Sequence, residues 1–115
     1  MEIIWSQPFE EDVKYYFRKK RYTKILNDID KAVNELKAGN FIGNKLEGLN
    51  LPENTAVYKV RLPNSSINIG KSGGFRLLYY VAIADRIYLA KIYSKKDDNR
   101  IPTDAQIVEL INNLL

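Results

Sequence analysis

The side chains best able to do chemistry in this sequence are cations set among strand-like residues: Lys59, Arg61, Lys71, Arg76, Lys91 and Lys95. Guanidinium groups grip phosphate oxygens in a two-point fork and ammonium groups add point charge, so such a set suits a phosphodiester. Tyr80 alternates onto the side of Arg76, and Tyr93 onto the side of Lys91 and Lys95, where both could stack on bases. Lys96 adds a further charge beside Lys95. Lysines on a solvated sheet face are routine, and Lys59 and Lys91 fit that plain reading equally well. Arg76 does not, because a charge inside the apolar run FRLLYYVA requires a specific counterpart. The chain has no histidine and no cysteine. The common imidazole base, thiolate catalysis and cysteine zinc sites are thereby excluded. Proton transfer falls to Lys, Arg, Tyr, Asp or Glu.

The charge is unevenly spread. Residues 1–47 carry nine basic and eight acidic side chains, whereas Lys59 to Lys96 carries eight basic and one acidic, Asp85. Such polarity suggests a polyanionic partner, or else a solubilising surface. The glycine-rich segment GKSGG (70–74) lacks the spacing of a nucleotide-triphosphate loop and precedes a strand, so that ligand is not expected. Asp97-Asp98 lacks a third ligand and reads as an exposed turn; neither metal nor other cofactor is expected. At 115 residues, 45% hydrophobic and 28% charged, residues 1–115 read as one globular domain. No apolar run approaches the ~20 residues of a membrane span, and MEIIWSQPFEED has no basic leader region. A cytoplasmic protein is expected.

Positioning these cations requires a sheet. Two runs, Phe75 to Ala82 and Arg86 to Ser94, form a hairpin through Ala84-Asp85, and Ala56 to Leu62 is a third strand with Lys59 and Arg61 on its outer side. Strict alternation groups Arg76, Leu78 and Tyr80 on one face, and Ile87, Leu89, Lys91, Tyr93 and Lys95 together on the second strand. Asn44-Lys45-Leu46 is a possible short edge strand, and Met1 to Trp5 an apolar piece packed on the body. Ser6, Pro8 and the acids at 10–12 start a helix, and the cluster Arg18-Lys19-Lys20-Arg21 suits its last turn. A second helix follows to about Lys37, with Gly39 ending it, and Thr103 with Gln106 caps a last helix running through Val108 to Leu115. The expected fold is α+β: an N-terminal helical hairpin packed on a three- to four-stranded antiparallel sheet, with a C-terminal helix.

The segments VYKVRL, GKSGGFRLLYYV and IYLAKIYSKKD, preceded by two helices and followed by one, resemble the RelE/HigB toxins of bacterial type II toxin–antitoxin systems, within the RelE/ParE superfamily. The likeness spans nearly the whole chain and is most specific at GKSGG-aromatic-Arg and at YSK. It implies an mRNA interferase: a ribosome-dependent, metal-independent endoribonuclease that inhibits translation and is held by a cognate antitoxin, commonly with a helix-turn-helix DNA-binding domain. The same fold hosts ParE-type inhibitors of DNA gyrase, and a non-catalytic nucleic-acid regulator is a further alternative. Position by position, the resemblance implies that Lys59 and Arg61 lie on the basic strand of the active site and that Lys71, Arg76, Lys95 and Lys96 stand at the family's other basic positions. With the strand-face reading, Arg76, Lys71, Lys95 and Arg61 are expected to be catalytic, and Lys59, Lys91, Lys96, Tyr93 and Tyr80 to contact RNA. A tyrosine near the C-terminus in some members has no counterpart here, where the chain ends in NNLL.

The implied chemistry needs a base for the 2′-hydroxyl proton, cations around the crowded phosphorus and an acid for the leaving 5′-oxygen. The expected arrangement has Arg76 on the scissile phosphate and Lys71 or Lys95, its pKa lowered by surrounding cations, as the base. Replacing Arg76 by Ala is then expected to abolish growth inhibition with the fold intact.

Overall fold

The computed structural model describes residues 1–114; Leu115, which the sequence assigns to the last helix, lies outside the described residues. A first strand, β1 (Glu2–Trp5), leads directly into a first helix, α1 (Gln7–Arg18). Ser6 makes the junction: its hydroxyl accepts from the Phe9 amide at 3.2 Å and donates to the Ala90 carbonyl. With Pro8 in the first turn and Glu10 near the positive helix end, the start follows the sequence reading. Phe9, Val13 and Tyr16 recur at helical spacing and are buried. The second helix, α2 (Ile25–Lys37), buries Ile25, Ile29, Ala32, Val33 and Leu36, and Gly39 at φ +87° ends it. The last helix, α3 (Asp104–Asn112), begins in a complete capping box between Thr103 and Gln106.

The remaining strands are β2 (Asn44–Lys45), β3 (Ala56–Leu62), β4 (Phe75–Val81) and β5 (Arg86–Ser94), in a five-stranded sheet of order β1-β5-β4-β3-β2. β2, β3, β4 and β5 pair antiparallel, while β1 runs parallel to β5 from Glu2↔Arg86 to Trp5↔Leu89. The architecture is the expected α+β, but the sheet is mixed, with one strand more than the sequence suggests. The extra strand is Glu2–Trp5, four residues too short to show an alternation. It forms because β5 otherwise leaves an unpaired row of backbone groups. Hydrogen bonds from the Glu2 amide to the Asp85 carbonyl and from the Ser6 amide to the Leu89 carbonyl fasten its two ends.

Both sheet faces are covered. On one, α1 and α2 enclose Val60, Leu62, Phe75, Leu77, Tyr79, Ile87, Leu89 and Ile92. On the other, Ile107 and Ile111 of α3 pack on Val57, Leu78, Tyr80, Ala90 and Tyr93, with Leu46, Leu49 and Leu51 at the margin. A bulge decides which β5 side chains reach which face. Tyr79 pairs with Leu89 and Leu78 with Lys91, so Ala90 has no partner. The extra residue shifts the alternation by one. Lys91 and Tyr93 therefore lie opposite Ile87 and Leu89, and not beside them as strict alternation predicts, while Lys95 falls just beyond the strand.

The buried Asp12 ties the layers together. Its carboxylate accepts from Arg100 at 3.0 Å, from the Ile92 amide at 3.1 Å and from Lys91 at 3.3 Å, joining α1 to β5 and to the turn before α3. Burial holds the Asp12 carboxyl above its ordinary range, against the pull of Lys91, the Ile92 amide and Arg100. The folded chain thus binds this proton more tightly than the unfolded chain, and the group's contribution to stability rises as pH falls. Relative to Asp12→Asn, the parent protein should gain stability between neutrality and about pH 4, the ordinary aspartate range, in urea melts across that interval. A relative loss on acidification would contradict this account.

Candidate nucleic-acid interface

The segments that carry the candidate cations meet at one end of the sheet, where β3 and β5 end and β4 begins. Arg61 pairs across the strands with Arg76, and Arg76 with Tyr93. One row further, the Lys95 amide donates to the Gly74 carbonyl at 3.0 Å. Lys71 joins through its backbone: the Arg76 guanidinium donates from Nη1 to the Lys71 carbonyl at 3.0 Å and from Nη2 to the Ser72 carbonyl at 3.0 Å. A third bond runs from Nη1 to its neighbour Phe75's carbonyl at 3.1 Å. Arg61, Lys71 and Lys95 are exposed. The four residues expected to be catalytic thus share one corner of the sheet.

Local sequence explains the corner. Gly74 sits where an added Cβ would collide with the Leu62 carbonyl oxygen and lie 2.8 Å from the Asn64 amide nitrogen, so glycine lets the GKSGG segment pass close to β3. The preceding loop is pinned by reciprocal bonds between Asn64 and Ile69, at 2.8 and 3.0 Å. Asp28 of α2, itself buried, accepts from the Ser65 amide and hydroxyl and holds the loop from the other side. Asp28 and Asp12 carry no sequence signal beyond lying on an apolar helix stripe, where a lone acid requires a partner.

Arg76 is 8% exposed and sits in none of the ion pairs among the described residues. Burial and the nearby Arg61 guanidinium both push its pKa below the usual arginine value, while Tyr93 opposes them. Three of its five N–H groups are spent on carbonyls, two in the loop and one at the start of β4. It braces the loop that carries Lys71, a structural role that the sequence does not suggest.

The remaining expected RNA contacts separate. Lys59, in the next row down β3, and Lys96, just beyond β5, are exposed beside the corner. Lys91 is not a free cation: the bulge places it where it pairs with Asp12. Tyr80 is 1% exposed and Tyr93 4%, both under α3, so neither ring can stack on a base in this conformation. Burial also raises the Tyr93 phenol pKa, with Arg76 pulling the other way. These three corrections share one cause, for α3 and the Asp12 network cover most of a face that looks solvent-exposed from strand periodicity alone.

Next to the corner, a groove of about 1000 Å³ runs between α2 and the edge of β3, lined by Lys31, Asn44, Arg61 and Lys71 among others. The β2–β3 ladder stops at Asn44↔Lys59, so the backbone edge at Arg61 is left open to this groove. A cavity of about 410 Å³ between α3 and β5 is lined by Lys91 and Arg100, whose charges Asp12 already engages. Among the described residues there is no cluster of three or more acids that could hold a metal ion, and no helix is long and apolar enough to cross a membrane.

Removing Arg76 should therefore damage the fold as well as the site. Arg76→Ala should cost about 3 kcal/mol in urea unfolding, since three carbonyls lose a charged donor, and should speed amide exchange across Lys71 to Gly74. Unchanged stability and exchange would show that the brace is unimportant. Searches with protein-family models and among curated proteins find no match to this chain.

Proposed function

We propose that the protein is a toxin of the RelE/HigB kind, a ribosome-dependent endoribonuclease that cuts messenger RNA and is restrained by a cognate antitoxin. One observation carries the reading. Arg61 and Arg76 face each other across adjacent strands, with Lys71 and Lys95 beside them, and no acid among the described residues pairs with any of the four. Like charges placed opposite each other in a sheet cost stability; an anionic ligand offsets that cost. The resemblance noted from the sequence supplies the choice of RNA over other phosphates.

In this reading the 2′-oxygen attacks the adjacent phosphorus and the bond from phosphorus to the 5′-oxygen breaks. The products are a 2′,3′-cyclic phosphate and a free 5′-hydroxyl, with no water or metal consumed. Arg61 takes the non-bridging oxygens, and Arg76 adds charge from beneath while fixing the loop. Lys71 and Lys95 are the groups placed to take the 2′-hydroxyl proton and to return one to the leaving oxygen. Lys59 and Lys96 hold flanking phosphates. No exposed tyrosine at the corner orients the bases, so alignment falls to the ribosome, and cleavage of free RNA is slow. The site of action is then the cytoplasm. An acidic or amphipathic antitoxin segment would cover the corner or displace α3, which buries only Ile107 and Ile111.

A translating extract with mapped messenger ends tests the reading. The protein should produce cuts in phase with codons, and Arg61→Gln, Lys71→Gln and Lys95→Gln should each slow cutting by about 100-fold or more. All three side chains are exposed, so no melting temperature should fall, and Arg61→Gln, which relieves the repulsion of Arg76, should hold or raise it. Intact messages, whether or not gyrase-dependent DNA breaks appear, would overturn the proposal.

A further inference from the structure

The turn joining α1 to α2 carries five cations in seven residues: Arg18, Lys19, Lys20, Arg21 and Lys24. No acid occurs between Asp12 and Asp28 in the sequence, and none of the five forms an ion pair among the described residues. All are exposed. The negative helix end explains Arg18 and Lys19, which lie in or next to the last turn of α1. It does not explain Lys20, Arg21 or Lys24, which lie beyond it.

The turn is also held rigid. The Tyr22 amide donates to the Tyr16 carbonyl at 3.0 Å, and the Lys24 amide donates to Ser66 Oγ at 2.9 Å. The Tyr22 ring stacks on Tyr16 and meets Phe75 edge-on, with centroids 6.1 and 6.0 Å apart. Arg21 sits in the left-handed region at φ +57°, a conformation that costs a non-glycine residue about 1–2 kcal/mol. Its neighbours over-determine it, as they do at strained functional turns. A fixed backbone sets the spacing of these side chains in advance, so less freedom is lost on meeting a partner of fixed charge spacing.

We propose that this turn is a second polyanion contact, fitted to the phosphate backbone of duplex RNA and separate from the sheet corner. The flanking rings of Tyr16 and Tyr22 are committed inward, Tyr15 is covered by the Arg100 guanidinium at 3.9 Å, and Phe17, beside Arg18, is a single ring left exposed. The turn thus offers charge without a row of stacking surfaces, which suits a double helix better than splayed bases. Phe75 is the first residue of β4 and pairs with Ser94, so the turn and the corner occupy one end of the sheet on its two sides. A folded RNA can touch both. This deepens the reading above, because a site acting on ribosome-held message needs a separate hold on structured RNA.

The test uses Arg18→Gln, Lys19→Gln, Lys20→Gln and Lys24→Gln together, leaving the strained Arg21 in place. Binding is followed by fluorescence anisotropy across a salt series, with an RNA hairpin of about two helical turns and with a single strand too short to fold. Each lost phosphate contact removes about 0.7–0.9 from the slope of log affinity against log salt. The quadruple variant should therefore bind the hairpin with a slope shallower by about 3, while binding of the short strand stays within twofold. Unchanged hairpin binding, or equal losses on both RNAs, would overturn the proposal. So would parent protein that ignores the hairpin yet binds phosphatidylserine vesicles through these same residues. An Arg61→Gln/Lys71→Gln variant separates the two ideas. If it binds the short strand as well as the parent does, the corner assignment fails, while the hairpin result for the turn still stands.

Discussion

The rest of the site depends on two arginines forced to face each other. Arg61 and Arg76 occupy one row of the β3–β4 ladder, and their repulsion must be absorbed. For Arg76 the absorption is internal, through the carbonyls of Lys71, Ser72 and Phe75, which supply dipoles in place of a carboxylate. Because carbonyls leave the net charge intact, the corner stays positive even though one of its arginines is nearly buried. A carboxylate there would have cancelled that charge.

That solution shapes the neighbouring loop. The guanidinium fixes the loop's backbone, Gly74 permits its close passage by Leu62, and Asp28 secures the preceding turn to α2. Lys71 is consequently carried on a braced segment although its side chain is exposed. On the far side, the bulge at Ala90 turns Tyr93 toward the same face as Arg76. Bulges that re-aim side chains are common beside functional sites, and without this one Tyr93 would project toward α1 and α2.

Much of this was legible in the sequence. Ser6, Pro8, Gly39 and Thr103 mark helix boundaries because capping and positive φ are local requirements. The three central strands and the outward Lys59 and Arg61 follow from period-two alternation. Non-local features were not legible. Glu2–Trp5 becomes a strand only because β5 offers it an edge. The bulge is invisible in IYLAKIYS, where apolar residues occupy both parities. Tyr80 and Tyr93 looked available because nothing in the strands reports that α3 will land on them, and Lys91 looked free because its partner, Asp12, lies 79 residues away. The resemblance to RelE/HigB toxins drew attention to this corner, while the way its side chains are engaged follows from packing.

The corner and the basic turn together give the molecule a cation-rich pole, although Asp28 and Glu35 of α2 line the groove beside Arg61 and Lys71. Long-range attraction brings a polyanion to such a pole, and short-range geometry then decides where a phosphate settles. The most direct measurement is an amide chemical-shift titration with a 2′-deoxy-substituted RNA trinucleotide that cannot be cleaved. The account predicts shifts concentrated at Lys59 to Arg61, Gly70 to Arg76 and Tyr93 to Lys96. Shifts centred on the cavity between α3 and β5, or none at saturating ligand, would contradict it.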